Sequence, residues 1–374
     1  MDASKLTTRG ADFLDEYGIE FQLGYEAKDI NKKNKEIILS DGSKVPYDKL
    51  LIATGGQARV PRTPGIDLKN VHVLRSANDQ TKIKEAAKNA KQIVVVGGGF
   101  IASEVTASLQ KKYNNVHMLC DFNAPMDRYF GYDVGAMILS EHEKNGAKVY
   151  CGVNVFNLKY VGDKDGNVKK VVLENGYEID ADLVVVGAGN IINTDIAKAA
   201  GLEMDKNGGV KCNPFMQTSD PDIFAAGDIA SFPCWYTGTN LRIEHWITAL
   251  DQGTHAAFNM LGKMVPYGNI PFFWTNHYGK GMQYVGNAMS WDEIHIDGIP
   301  RDNKFIAYYI KDNKILAACA QGRGKDLLTI FEAMNQNVLP PADQIKNGTY
   351  TPSDIQKMLK LNKNGGACRR ANCC

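Results

Sequence analysis

The chain has 374 residues, enough for two or three domains of ordinary size. Hydrophobic residues at 44% and charged residues at 23% lie near globular averages and argue against a disordered or fibrous protein. With 43 basic and 42 acidic side chains the formal charge is +1, which gives no electrostatic basis for nucleic acid or an anionic membrane as main partner.

The residues 1–5 carry no secretory or Arg-rich transit pattern and lead into a predicted helix over 7–17, closed by Gly18. Alternation predicts strands at 19–23, 35–40 and 44–45, the last two joined by a turn at 40–43. The run 48–54 reads as a buried strand entering Gly55-Gly56, and Pro61 and Pro64 mark a crossing between domains. A charged helix over 78–91 precedes 92–96, a continuous apolar strand of the parallel-sheet kind. A glycine turn at 97–102, a helix over 103–112 and a strand over 116–120 complete a βαβ unit of about 30 residues. A helix over 133–145, an antiparallel excursion over 148–179 and the strand 183–186 finish the block.

Beyond it, an apolar strand ends in Gly227-Asp228 and a helix follows over 247–261. The region 270–344 is β-rich with one helix over 325–336, and 351–374 reads as a loosely attached tail. No apolar run reaches the roughly 20 residues of a spanning helix. Cysteines stand at 120, 151, 212, 234, 319, 368, 373 and 374 without a Cys-x-x-Cys pair. That spacing suits reduced thiols in a cytoplasmic protein better than a disulfide framework, and it predicts no metal site.

Gly97-x-Gly99-x-x-Ala102 matches the dinucleotide fingerprint in its confirming context, after a strand and opening a helix. The first glycine allows the turn, the second admits the pyrophosphate, and the small third residue lets helix and strand pack closely. An acid for the ribose hydroxyls is expected about 20 residues on. The strand ends there in Cys120, with Asp121 one step later, so Asp121 takes that role after a small register shift. No arginine stands at 120–123 to receive a 2′-phosphate, so NADH is favoured over NADPH.

Further segments, in order and separation, resemble the flavin-dependent pyridine-nucleotide oxidoreductases. Ile52-Ala53-Thr54-Gly55 is similar to a strand of the FAD domain, and 218–228 to the second FAD motif, whose final acid, Asp228 after Gly227, binds the ribityl chain. Residues 242–246, with Ala249, Gln252 and Gly253, resemble the helix start beneath the flavin in the ferredoxin-reductase and apoptosis-inducing-factor-like branch. Residues 271–275 and 283–286 resemble the start of its C-terminal reductase domain. The likeness is nearest to the members that carry a Rieske domain.

The resemblance implies an α/β protein: two Rossmann-like three-layer dinucleotide-binding domains, the FAD one incomplete, and a C-terminal α+β reductase domain. The FAD domain is expected at 1–75 and 191–265, the NAD(P)H domain at 76–190, the reductase domain at 266–345 and a tail at 346–374. Implied cofactors are FAD and NADH, with hydride passing to the flavin and electrons to an iron–sulfur acceptor. Ala53, Thr54, Gly55, Arg59, Gly97, Gly99, Ala102, Asp121 and Gly189 are the cofactor-binding candidates of the first two domains. Gly227, Asp228, Glu244, His245, Trp246 and Trp274 complete the set, with Glu104 and Trp274 at the catalytic face. Glu104 has a second reading as a carboxylate favoured by the helix dipole in the first turn. A homodimer is a further expectation.

The family's first Gly-x-Gly-x-x-Gly, for the ADP half of FAD, is not found in this sequence, nor is a Rieske Cys-x-His pair. A fragment of a longer flavoprotein that holds FAD weakly is therefore expected. The alternative is a catalytically weak NAD(H)-binding scaffold or sensor module.

Overall fold

The continuous apolar runs become the interior of a five-stranded parallel sheet. In the computed structural model, which describes residues 8–364, its strand order is Val71–Val73, Leu183–Val186, Ile93–Val96, Val116–Leu119 and Lys148–Tyr150. All four pairings are parallel. The three inner strands are buried along their whole length, which is why they lack alternation. Helices Ala77–Asn89 and Phe100–Tyr113 pack on it. Ser76 caps the first of these, sharing reciprocal hydrogen bonds with Asp79.

Two expectations about this block need correction. Lys148–Tyr150 extends the parallel sheet, so only Lys159–Gly162, Val168–Val172 and Glu178–Asp180 form the antiparallel excursion. Val71–Val73 lies before the expected domain boundary at 76, yet it pairs with Leu183–Val186 inside the same sheet. A strand of three residues is too short for its period to show.

Around this block lie smaller pieces of a second unit. Leu50–Ile52 pairs in parallel with Ile223–Ala225, and the hairpin Glu36–Leu39 to Lys44–Pro46 forms about the turn at Gly42. The first helix is shorter than expected, Ala11–Glu16, with Thr7 outside the described residues. The expected strand over 19–23 is absent: Ile19, Phe21 and Leu23 are exposed and pair with no strand among the described residues. Alternation marks a strand only where a neighbour completes its hydrogen bonds.

The C-terminal region is a five-stranded antiparallel sheet ordered Phe272–His277, Lys280–Gly286, Lys314–Gln321, Lys304–Lys311 and Glu293–Ile299. Its two faces bury alternate residues. Phe305, Ala307 and Tyr309 pack with Phe130, Val134 and Ile138 of the parallel-sheet block. Ile306, Tyr308 and Ile310 pack in the cluster that holds Leu327 and Ile330 of helix Gly324–Asn335. The expected tail is docked as far as it is described. Helix Pro352–Asn364 starts at a Thr351–Asp354 reciprocal cap and buries Ile355 and Leu359 in that cluster. Among the described residues no helix is long and apolar enough to cross a membrane, and no group of three metal-ligating side chains is found.

The glycine-loop helix meets the C-terminal sheet through a buried polar contact. Ser103 Oγ lies 2.8 Å from His142 Nε2 and 3.0 Å from His277 Nε2, and His142 Nδ1 lies 3.0 Å from the Tyr278 hydroxyl. Burial lowers the pKa of both imidazoles, His142 to about 3, with repulsion from His277 adding to it, and His277 to about 4. Unfolding returns them to about 6.5, where they take up protons. Their stabilisation is thus complete above that value and lost as pH falls toward the folded values. The urea midpoint should decline from pH 6.5 to pH 4, and His277→Gln should flatten that decline. An unaltered pH slope in the variant would contradict this assignment.

Candidate functional site

The three positions of the fingerprint have different neighbours. Gly97 sits at φ +127°, and a Cβ there would strike the Gly187 carbonyl, with Ala102 Cβ 3.3 Å away. Gly97 and Ala102 therefore permit two strand ends and a helix to cross closely. Gly99 is unlike them, since the nearest protein atom to its Cβ position is the Tyr129 hydroxyl at 3.7 Å. It begins helix Phe100–Tyr113, which no side chain caps among the described residues. Uncapped N–H groups beside open space form a cradle for phosphate. A Cβ on Gly98 would lie 2.9 Å from Asp121 Oδ1 and 2.7 Å from Cys120 Sγ. Cys120 is fully buried and Asp121 exposed, so the carboxylate occupies the open edge of the loop.

A second group gathers where the chain passes between the parallel sheet and the smaller unit. Thr54 Oγ1 donates to the Asn193 carbonyl at 2.5 Å, and Asn193 Nδ2 donates to the Thr54 carbonyl at 3.0 Å. Gly55, at φ +59°, turns the chain into Gly56–Ala58, which pairs antiparallel with Asn190–Ile192. Arg59 N–H donates to the Gly189 carbonyl at 2.9 Å. Ala53, Thr54, Gly55, Arg59 and Gly189 thus share one connection.

Asp228 lies across from it. Its Oδ2 accepts from Arg75 at 3.3 Å, and a Cβ on Gly55 would be 3.5 Å from the same guanidinium. Gly227, at φ +77°, donates its N–H to Gln252 Oε1 at 2.8 Å. Arg242 Nη1 donates to the Asp228 carbonyl at 3.1 Å and to Glu244 Oε1 at 2.6 Å, and Asn190 Nδ2 donates to Glu244 Oε2 at 3.2 Å. Gln252 Nε2 and Asn190 Oδ1 are buried without a hydrogen-bond partner among the described residues. Unpaired buried polar atoms are costly, and here they fit a polar ligand.

Aromatic rings join the two groups. The His245 ring lies 5.5 Å from Trp274 and 5.8 Å from Phe273, and Phe273 lies 5.4 Å from Phe100. Trp246 stands 5.9 Å from Trp274, and both tryptophans keep open faces. Burial lowers the His245 pKa against the opposing charge of Asp228. His245 Nδ1 accepts the Ile247 N–H and starts helix Trp246–Met260.

Glu104 sits at the seam of this wall with the C-terminal sheet. Its Oε1 accepts from the buried Thr275 Oγ1 at 2.6 Å, although the rest of the side chain is open to solvent. Burial raises its pKa, and the Thr275 bond opposes that rise. The helix begins at Phe100, so Glu104 is past its first turn, which holds no acid. That corrects the helix-dipole reading. Sequence reasoning missed Arg75, Asn190 and Tyr129, which lie in no motif.

Two family models match the chain: "Pyridine nucleotide-disulphide oxidoreductase" over residues 4–253 and "Reductase C-terminal" over 272–351. Human apoptosis-inducing factor 3 is 32% identical over 317 residues, 84% of this chain and 52% of its own length. The chain therefore spans about half of that relative. Putidaredoxin reductase of Pseudomonas putida is 33% identical over 318 residues, 84% of this chain and 75% of its own. Among solved structures, a covalent putidaredoxin reductase–putidaredoxin complex aligns with a TM-score of 0.89 at 29% identity, covering 96% of this chain and 86% of that one. A ferredoxin reductase from Rhodopseudomonas palustris gives 0.87 at 27%, covering 94% and 86%.

The open space at Gly99 separates binding from folding. Gly99→Val should leave the unfolding free energy from urea titration within roughly 0.5 kcal/mol, as for a neutral surface change, while abolishing NADH binding by titration calorimetry. Gly97→Val should unfold the NAD block, because the Gly187 carbonyl cannot retreat. Full NADH affinity in Gly99→Val would remove the nucleotide from this loop.

The raised pKa of Glu104 carries a sign. An acid whose folded pKa lies above its unfolded value stabilises the fold at low pH, and that contribution is lost as pH rises through the folded pKa. Glu104→Gln should therefore raise Tm at pH 7 and lose the advantage near pH 4. A Tm difference independent of pH would contradict the raised pKa of this carboxyl.

Proposed function

The chain belongs to the pyridine nucleotide-disulphide oxidoreductase family, and from its site we propose an FAD-dependent NADH oxidoreductase that delivers electrons to an iron–sulfur protein of the ferredoxin or Rieske kind. The observation that carries this reading is the pairing of two unlike cradles across one aromatic wall. One is the uncapped helix start at Gly99 with Asp121 beside it. The other is the polar pocket of Asp228, Gln252 and Asn190.

Each cradle fits part of its cofactor. The Gly99 loop and helix start would hold the NADH pyrophosphate, and Asp121 the adenosine ribose. Asp228, Thr54 and Gly55 would hold the ribityl side of FAD, with Gln252 and His245 beneath the ring. The described residues provide no second glycine loop for the ADP half. When bound, the two cofactors supply hydride transfer followed by single-electron release. The chain's own residues position and shield. Trp274 and Phe273 would cover the ring face, Arg75 and Arg242 fix the acids, and Glu104 presents a carboxyl at the joint. No side chain has to act as acid or base in the hydride step. The ferredoxin and putidaredoxin in the names of the relatives support the class of acceptor.

Asp121 sets the choice of nucleotide. It is exposed, so its repulsion of a 2′-phosphate is worth about 1–2 kcal/mol, a factor of about 5–30. Steady-state kinetics of ferricyanide reduction with added FAD should show NADH ahead of NADPH by that factor in kcat/KM, and Asp121→Asn should narrow it. Higher kcat/KM with NADPH, or colourless protein that binds NADH and never turns over with FAD present, would replace this reading with a nucleotide-binding module.

A further inference from the structure

Two thiols that the hydride chemistry does not use meet beside the glycine loop. Strands Val116–Leu119 and Lys148–Tyr150 run parallel in the register His117 with Lys148, Met118 with Val149 and Leu119 with Tyr150. One step further, Cys120 stands opposite Cys151. Cys120 N–H keeps that register by donating to the Tyr150 carbonyl at 2.8 Å, and the ladder then slips by one residue, with Val153 N–H donating to the Cys120 carbonyl at 2.9 Å. Neighbouring strands lie about 4.7–4.9 Å apart, inside the Cα separation of about 4.4–6.8 Å that a disulfide tolerates. Opposed residues of a parallel pair point to the same face, so the register brings the two thiols together beneath the loop, where the Cys120 thiol donates to the Phe122 carbonyl at 3.7 Å.

Both cysteines are free. From this placement we propose that Cys120 and Cys151 form a redox-active dithiol, oxidised to an intramolecular disulfide by low-molecular-weight disulfides of the glutathione type, and that its closure weakens nucleotide binding at the adjoining loop.

The two thiols divide the work. Cys151 is partly exposed, and the neighbouring Cys120 thiol lowers its pKa, which favours the attacking thiolate. Cys120 is fully buried and its pKa is raised, first by its neighbour Cys151 and then by burial, so it meets no external oxidant. The Cys151 thiolate attacks one sulfur of the small disulfide, whose other half leaves as a thiolate and takes a proton from water. Cys120 then loses its proton to water and attacks Cys151 Sγ, expelling the second small thiol. In total the protein pair gives up two electrons and two protons, and the small disulfide becomes two thiols.

The effect on nucleotide rests on the proposed NADH site. The Cys120 sulfur packs against Gly98, and Asp121 is the next residue. Drawing that sulfur to bonding distance, about 2.05 Å, shifts the support of the loop and its ribose acid together.

The 374-residue chain is equilibrated without oxygen in graded mixtures of glutathione and its disulfide, acid-quenched, alkylated, digested and mapped by mass spectrometry. Expected is a Cys120–Cys151 crosslink, the two thiols disappearing together. Cys120→Ser should halt Cys151 as the glutathione mixed disulfide, and Cys151→Ser should leave Cys120 unmodified. Persistent glutathione on Cys151 of the unsubstituted chain, linkage to another cysteine, or survival of both thiols in the most oxidising mixture overturns the pair. Oxidised protein should bind NADH about fivefold or more weakly than reduced protein. Equal affinity with the crosslink in place overturns the control of binding. Failure of the reduced protein to bind NADH counts against the nucleotide site, while the crosslink map reads the thiols without it.

Discussion

The placement of helix Phe100–Tyr113 governs the rest of the site. Its start is fixed by backbone crossing backbone, because Gly97 and Gly187 leave no room for a side chain between strand and helix. Its next turn is fixed by chemistry of a different kind. Ser103 is fully buried and shared by two imidazoles, one from helix Tyr132–Lys144 and one from strand Phe272–His277. A buried hydroxyl left without partners costs on the order of 1–3 kcal/mol, so the helix is held in rotation as well as in position. Glu104, the next residue, is thereby delivered to Thr275.

The C-terminal sheet accepts this because its inner strands are buried on both faces. Strand Lys304–Lys311 has six consecutive buried residues, and the alternation is visible only in what each one touches. One face packs against the helices that follow the NAD strand Val116–Leu119, and the other against helix Gly324–Asn335 and the docked helix Pro352–Asn364. Phe273 and Trp274 lie on the edge strand Phe272–His277 of this sheet, and Phe273 meets Phe100 at the glycine loop with ring centroids 5.4 Å apart.

How much was legible follows from the range of each interaction. The βαβ unit was legible because every signal in it is local: apolar run, glycine turn, helix, apolar run. The helix expected over 103–112 starts three residues earlier, at Phe100, directly after Gly99, and the Ser103 hydroxyl goes to the two histidines. The strand over 19–23 had the right alternation and no partner among the described residues. Helix Pro352–Asn364 was missed because among the residues of described burial only Ile355 and Leu359 are deeply buried in a polar segment, although Thr351 and Asp354 form its cap. The contact of Arg75 with Asp228 spans 153 residues of sequence, and no local pattern announces it.

Asp121 and Cys120 show how one residue of register divides structure from recognition. On a parallel strand the side chain at the last paired position faces a layer of packing, and the following residue is the first one free to turn outward. Here the hydrogen bonds of Cys120 to strand Lys148–Tyr150 and to Val153 keep it within the ladder, so its thiol is committed to the interior beneath Gly98. Asp121 is released from the ladder and brings its carboxylate to the loop from the open side. An acid at position 120 would have been buried and held by the ladder. At position 121 it stays in water, which leaves the interior position to a thiol.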